Sequence, residues 1–168
     1  MDAWVIAGII VAIIGFSILF GAPYVPSKRR HVQRLFAHMD LGVKDVLVDI
    51  GSGDGVVLRQ ATARGAKAIG YEVHPLLWVL SRIITPKATI HLKDFWRSKL
   101  PDDTTAVYLF GIHRDEKRVM KKMQAEANRL GRSIRFVTHG NPLPGVTPDD
   151  EFEAYSLYSF HPLQPKEA

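Results

Sequence analysis

Seven consecutive residues, Asp49-Ile50-Gly51-Ser52-Gly53-Asp54-Gly55, place three glycines and two carboxylates between an apolar run and a segment of helical character. Glycines so spaced turn a strand into a helix and let backbone approach a ligand where a side chain would clash. Two phosphate-binding versions of this turn are excluded. The dinucleotide fingerprint G-x-G-x-x-G, counted from Gly51, needs glycine at the place of Val56, and a P-loop needs a Gly-Lys-Ser/Thr ending that is missing here. Two further acids stand at strand-ending positions. Glu72 closes KAIGYE, where a carboxylate can accept hydrogen bonds from both hydroxyls of a ribose. Asp94 in LKDFW can reach an adenine amino group, with Phe95 or Trp96 flanking the ring.

The remaining pattern, D-x-G-x-G-x-G, resembles the cofactor loop of Rossmann-like methyltransferases that use S-adenosylmethionine. That cofactor has no phosphate, so no phosphate-grasping lysine is needed. The resemblance implies glycines beside its amino-acid and ribose portions and Asp49 near its ammonium or sulfonium charge. The cofactor-binding set expected on this basis is Asp49, Gly51, Ser52, Gly53, Gly55, Glu72, Asp94 and Phe95.

A chain of 168 residues, 46% hydrophobic and 23% charged, is about one globular domain. It has no cysteine, which excludes disulfides, thiolate metal sites and a cysteine nucleophile, and suits a reducing compartment. The histidines lack metal-ligand spacing, so no metal is expected. Residues 3–22, AWVIAGIIVAIIGFSILFGA, carry no charge, and as a helix would span about 30 Å, the thickness of a bilayer's hydrocarbon core. Trp4 and Tyr24 flank the run as interfacial aromatics do. A Met-Asp start is unlike a signal peptide, and a core helix would need burial on every side. The run is therefore expected to be a single transmembrane helix. Lys28, Arg29, Arg30 and Arg34 follow it, which puts the C-terminal bulk on the cytoplasmic or organelle-matrix side. The formal charge of +5 becomes +6 once Asp2 is set aside with the run, and anionic headgroups explain that basicity. The basic residues are scattered and form no nucleic-acid motif, so no nucleic acid is expected.

The expected division is an anchor at 1–22, a proline-rich linker at 23–27 and a catalytic domain at 28–168. Ser27 suits the N-cap of a helix to about Met39, with Val32, Leu35, Phe36 and Met39 at i, i+3, i+4, i+7. Strands are expected at 46–50, 67–72, 88–92, 105–110 and 132–138, and helices at 56–64, 75–84 and 114–130. Gly140 to Asp150 reads as a loop, including NPLP at 141–144, and 151–160 as a sixth, antiparallel strand. The alternation predicts an α/β fold with a mostly parallel sheet and ligands at the carboxyl ends of its strands.

In combination, PYVPS, DIGSGDG, YEVHPLLWVLSR, KDFW and YLFGIHRDEKRVMKKM resemble segments of the membrane-anchored protein-lysine methyltransferases of mitochondria and their prokaryotic relatives. Those enzymes modify the C-subunit of ATP synthase and the adenine nucleotide translocase. His74 departs from the asparagine expected before Pro75, and Gly111-Ile112-His113 from a Gly-Val-Pro run. The resemblance implies methylation of a lysine in a membrane-associated protein, with PYVPS closing over the cofactor. Tyr24 and His113 are the catalytic candidates at the mouth of the site. A lipid or membrane-dissolved small molecule as acceptor, and a silent cofactor-binding scaffold, stay open as alternatives. The target lysine and the oligomeric state are not fixed.

Overall fold

The computed structural model describes residues 27–111 and 116–163, with positions 2, 4, 8, 11 and 15 ahead of them. The expected anchor and the segment 23–26 thus fall almost wholly outside the described residues. Among the described residues no helix is long and apolar enough to cross a membrane.

The chain runs α1 (Arg29–His38), β1 (Val46–Ile50), α2 (Val56–Ala63), β2 (Lys67–Glu72), α3 (Pro75–Ile84) and β3 (Thr89–Leu92). A single 3-10 turn, Phe95–Arg97, leads to β4 (Ala106–Phe110), α4 (Glu116–Leu130), β5 (Ile134–His139), β6 (Asp150–Phe152) and β7 (Tyr155–Phe160). One seven-stranded sheet has the order β3-β2-β1-β4-β5-β7-β6. The first five strands pair in parallel, and β7 pairs antiparallel with both β5 and β6. The expected mostly parallel sheet is thus observed, and β1 is the middle of its five parallel strands.

Two expectations are corrected. The run 151–160 is two strands, because Glu153 takes a left-handed φ of 55° and folds β6 back on β7. Ser27 does not cap α1: the N-cap is Lys28, without a side-chain bond, and the Ser27 hydroxyl instead lies 3.4 Å from the Tyr108 hydroxyl.

Alternation along each strand builds a core on both faces. Val46, Val48 and Ile50 of β1 join Val119, Met123 and Ala127 of α4 on one face. Leu47 faces the other way, into a cluster with Val32, Leu35 and Phe36 of α1 and Val57, Leu58 and Ala61 of α2. At the amino ends of the strands, Asp45 accepts from Arg135 (2.5 Å) and Thr105 (2.8 Å), while Arg135 also donates to the Met39 carbonyl (2.9 Å). That network ties β1, β4, β5 and the end of α1 together and leaves the carboxyl ends free for chemistry.

Phe36 is fully buried between α1 and the sheet. Phe36→Ala should therefore cost about 3–5 kcal/mol, read from the urea midpoint with the transition slope unchanged.

Candidate functional site

Strand order reverses between β2-β1 and β4-β5, so helices leave β1 and β4 on opposite faces of the sheet and a crevice opens at their carboxyl ends. The glycine loop stands there. Gly51, Gly53 and Gly55 have φ values of 72°, 53° and 77°, a left-handed conformation that side chains resist. A Cβ at Gly51 would meet nothing within 4 Å, so that part of the loop faces open space. A Cβ at Gly55 would instead strike the Thr85 hydroxyl at 2.6 Å.

Glu72 fixes this loop from the neighbouring strand. Its carboxylate accepts from the backbone N–H of Gly53 (2.7 Å), Val73 (2.8 Å) and His74 (2.7 Å). The Tyr71 carbonyl accepts from Gly51 and Ser52 (2.9 and 3.1 Å), so the strand end and the loop are joined by three hydrogen bonds, while the Val73 and His74 bonds fix Glu72 itself. A carboxylate has about four acceptor positions, and backbone already takes three on Glu72. The residue is a clamp before it is a ligand contact. On the other side of the loop, Asp54 accepts from the Val56 N–H at 3.2 Å and holds Arg59.

Asp49 is buried, 2% exposed, one strand from Glu72 and in register with Gly70 of β2 and Tyr108 of β4. Burial first, then the charges of Glu72 and Asp54, push its pKa up to about 8. Three carboxylates converging on one crevice disfavour one another and favour a cationic ligand. This donor set, with glycine backbone open to solvent space, fits S-adenosylmethionine, whose amino and sulfonium groups are positive. Among the described residues no His, Asp or Glu cluster is arranged to hold a metal ion.

The other expected residues are distributed unevenly. Asp94 follows β3 and caps the 3-10 turn, accepting from the Trp96 N–H at 2.9 Å, and its side chain is 40% exposed. Phe95 is a core side chain, 3% exposed, edge-on to Tyr71 and Trp96, so Trp96 is the half-buried ring beside Asp94. Tyr24 and His113 lie outside the described residues.

Residues that the sequence reading did not single out complete the crevice. Tyr108 on β4, Tyr155 on β7 and His139 on β5 share one face, and His139 stacks on Tyr155 (4.5 Å between ring centroids) with Phe110 edge-on (4.6 Å). Burial and the nearby His31 hold the His139 pKa below its ordinary value, so the ring is neutral at pH 7. Burial pushes the Tyr108 hydroxyl up, and the Tyr155 hydroxyl up to about 12. Gly70 is the second omission. A Cβ there would lie 2.6 Å from the Ser52 hydroxyl and 2.7 Å from Leu58, so this glycine lets the loop settle onto β2. An isolated glycine inside a strand is the signal that could have found it.

No family model matches the chain. Among curated proteins it is 31% identical over 136 residues to the mouse ATP synthase C-subunit lysine N-methyltransferase, covering 76% of this chain and 52% of that one. It is 30% identical over 164 residues to the Xenopus laevis protein of the same name, covering 88% and 70%. The chain belongs to the ATP synthase C-subunit lysine N-methyltransferase family. It spans about half the length of the mouse member and 70% of the Xenopus one. Solved structures agree on the fold. An RNA methyltransferase from Salinibacter ruber, bound to S-adenosyl-L-homocysteine, superposes with a TM-score of 0.74 at 21% identity, covering 85% of this chain and 98% of its own. A SAM-dependent O-methyltransferase from Thermotoga maritima gives 0.63 at 15% identity, covering 90% and 72%. At these identities the likeness speaks for the fold, while membership in the lysine methyltransferase family rests on the curated relatives.

Two outcomes test this geometry. A carboxyl with a raised folded pKa holds its proton in the fold after the unfolded chain has lost it, so its contribution to stability falls as pH rises from about 4 through 8. Asp49→Asn should therefore gain on the parent protein between pH 5 and pH 9, by at least about 1 kcal/mol in thermal unfolding without ligand. Gly70→Ala should displace Ser52 and lower S-adenosylhomocysteine affinity by about tenfold in calorimetry, with secondary structure unchanged by circular dichroism.

Proposed function

We propose that the chain is an S-adenosylmethionine-dependent methyltransferase that modifies a lysine of a membrane-associated protein, with the C-subunit of ATP synthase as the first substrate to examine. The observation that carries this reading is the glycine loop clamped by Glu72 beside buried Asp49 at the reversal of strand order, in a chain of this family. Asp49, Gly51, Ser52, Gly53, Gly55 and Glu72 would hold the amino-acid and ribose portions of the donor, and Asp94 with Trp96 its adenine. When bound, S-adenosylmethionine supplies a methyl group open to in-line displacement by an uncharged amine.

The protein's own contribution is alignment and proton management. Glu72 immobilises the loop, so its backbone N–H groups and carbonyls are set before any ligand arrives. Asp54 and Glu72 supply negative potential for a cationic donor, and Asp49, protonated in the empty crevice, joins them if it gives up its proton beside the donor's positive charge. A lysine must lose its proton to attack. Neutral His139, at the carboxyl end of β5 and two strands from Asp49, offers an unprotonated ring nitrogen for that transfer, although burial weakens it as a base. Tyr108, Tyr155 and Phe110 surround it with rings that limit water. The anchor at 3–22 and a catalytic domain on the cytoplasmic or matrix side are supported by the uncharged run and the cations that follow it.

Calorimetry of the full chain should give one S-adenosylhomocysteine site. Glu72→Ala breaks three backbone bonds to a charged group and should weaken that site at least tenfold, by roughly 1.5 kcal/mol or more. Membranes incubated with methyl-labelled donor should carry the label in the band of the ATP synthase C-subunit. His139→Gln should lower kcat while leaving donor affinity within about twofold. Label confined to the lipid extract would replace the protein acceptor by a lipid one, and absence of any binding would sink the whole reading.

A further inference from the structure

The α3 helix (Pro75–Ile84, PLLWVLSRII) has its polarity reversed relative to the other helices of the fold. A surface helix ordinarily buries an apolar stripe and shows charge to solvent. α1 follows that rule, burying Val32, Leu35 and Phe36 while Arg29, Arg30 and Arg34 stay outside. α4 does the same, with Val119, Met123 and Ala127 inside and Lys117, Arg118 and Lys121 outside. In α3 the only buried side chain is Ser81. Leu76, Val79, Leu80, Ile83 and Ile84 are 40–71% exposed and cover a continuous arc of the outer face at i, i+3, i+4, i+7 and i+8.

The helix is nonetheless firmly seated. The Trp78 indole N–H donates to the Ile90 carbonyl at 2.9 Å, and the Ser81 hydroxyl to the Trp78 carbonyl at 3.0 Å. The stripe is therefore a fixed feature of the surface. Single exposed apolar residues need no explanation, but five on one helix face form a patch of the kind that meets a partner.

We infer that this face of α3 lies in the headgroup–acyl boundary of an anionic bilayer. Charge selects that occupant. The 21 residues between Glu72 and Asp94 contain no acid and three cations, Arg82, Lys87 and Lys93. All three are exposed, and Arg82 lies over the Trp78 ring, 5.2 Å from its centroid, at the margin of the stripe. An apolar stripe edged by cations, with no acid in the segment, is the pattern of an interfacial helix. Both ends of α3 also border the candidate site. Its N-cap, His74, donates its backbone N–H to Glu72, and Thr85 at its other end packs against Gly55. A bilayer on α3 would thus lie alongside the cofactor loop, a contact that goes beyond the reading of the reaction and does not depend on it.

The absence of cysteine makes the test direct. Ile83→Cys and, as a control on exposed α4, Lys121→Cys are labelled with the fluorophore NBD in the full chain. Each is reconstituted in phosphatidylcholine vesicles with and without about 30% phosphatidylglycerol, some lipids carrying a doxyl quencher in the acyl chain. Thermal unfolding confirms that each protein is folded. Lipid quenching is expected at position 83 and not at 121, greater with phosphatidylglycerol, and cut about twofold or more by Val79→Glu. A dye at 83 that stays in water would overturn the proposal. So would one shielded in detergent yet not quenched by a doxyl-labelled detergent in the same micelle, which would place the chain's own residues 3–22 or a second copy on the stripe. Shielding in vesicles without lipid quenching would point to a protein partner and overturn it equally.

Discussion

The arrangement of the carboxyl edge depends on one carboxylate bonded to backbone. Glu72 receives N–H groups from its own strand end, from the first residues leading to α3 and from the glycine loop. A loop of glycines has large conformational entropy when free, and the Gly53 bond to this charged acceptor, with those of Gly51 and Ser52 to the Tyr71 carbonyl, converts it into a defined surface. The clamp also brings a second negative charge towards Asp49. The structure tolerates that repulsion because burial already favours Asp49 in its protonated form. Loop order and the electrostatic character of the crevice thus share one origin.

Much of this was legible in the residues. The alternation of apolar strands and helices, with short connections, dictated a parallel sheet, and α3 and β2 follow the expected boundaries. Asp49, Glu72 and Asp94 stood out because each carboxylate lies at or just beyond the carboxyl end of a strand, where a charge has no packing reason to be. The β6–β7 turn was missed because Glu153-Ala154 carries none of the usual Gly, Asn or Pro signals. Ser27 was misread because its hydroxyl has two available partners, and the one chosen, Tyr108, is 81 residues away. Phe95 shows a similar limit: an aromatic after an acid suits a ligand ring or a core equally, and only the packing of Tyr71 decides. Tyr108, Tyr155 and His139 could not be grouped from sequence. Their proximity follows from the pairing of β4, β5 and β7, which a linear pattern does not specify.

The two faces of the sheet serve different ends. The face under α4 is almost purely apolar and carries stability. The face under α1 and α2 mixes an apolar floor with Asp49, Tyr108, Tyr155 and His139 towards the carboxyl edge. α1 covers that polar margin, and Ser27, just before it, reaches Tyr108. Ser27, directly ahead of α1, is therefore coupled physically to the crevice.

The position of β7 has a consequence for how the molecule assembles. β7 lies between β5 and β6 although it follows both in the chain, and β6 reaches the sheet only through it. The β6–β7 hairpin closes over two residues, an event of microseconds in isolated hairpins. Joining β1 to β4 instead brings together Asp49 and Tyr108, 59 positions apart (108 − 49). Loop-closure entropy makes that parallel pair the late and slow contact. The crevice between β1 and β4 is thus among the last parts of the protein to exist. A full-length chain refolding from the denatured state would carry the hairpin well before it carries a place to bind anything.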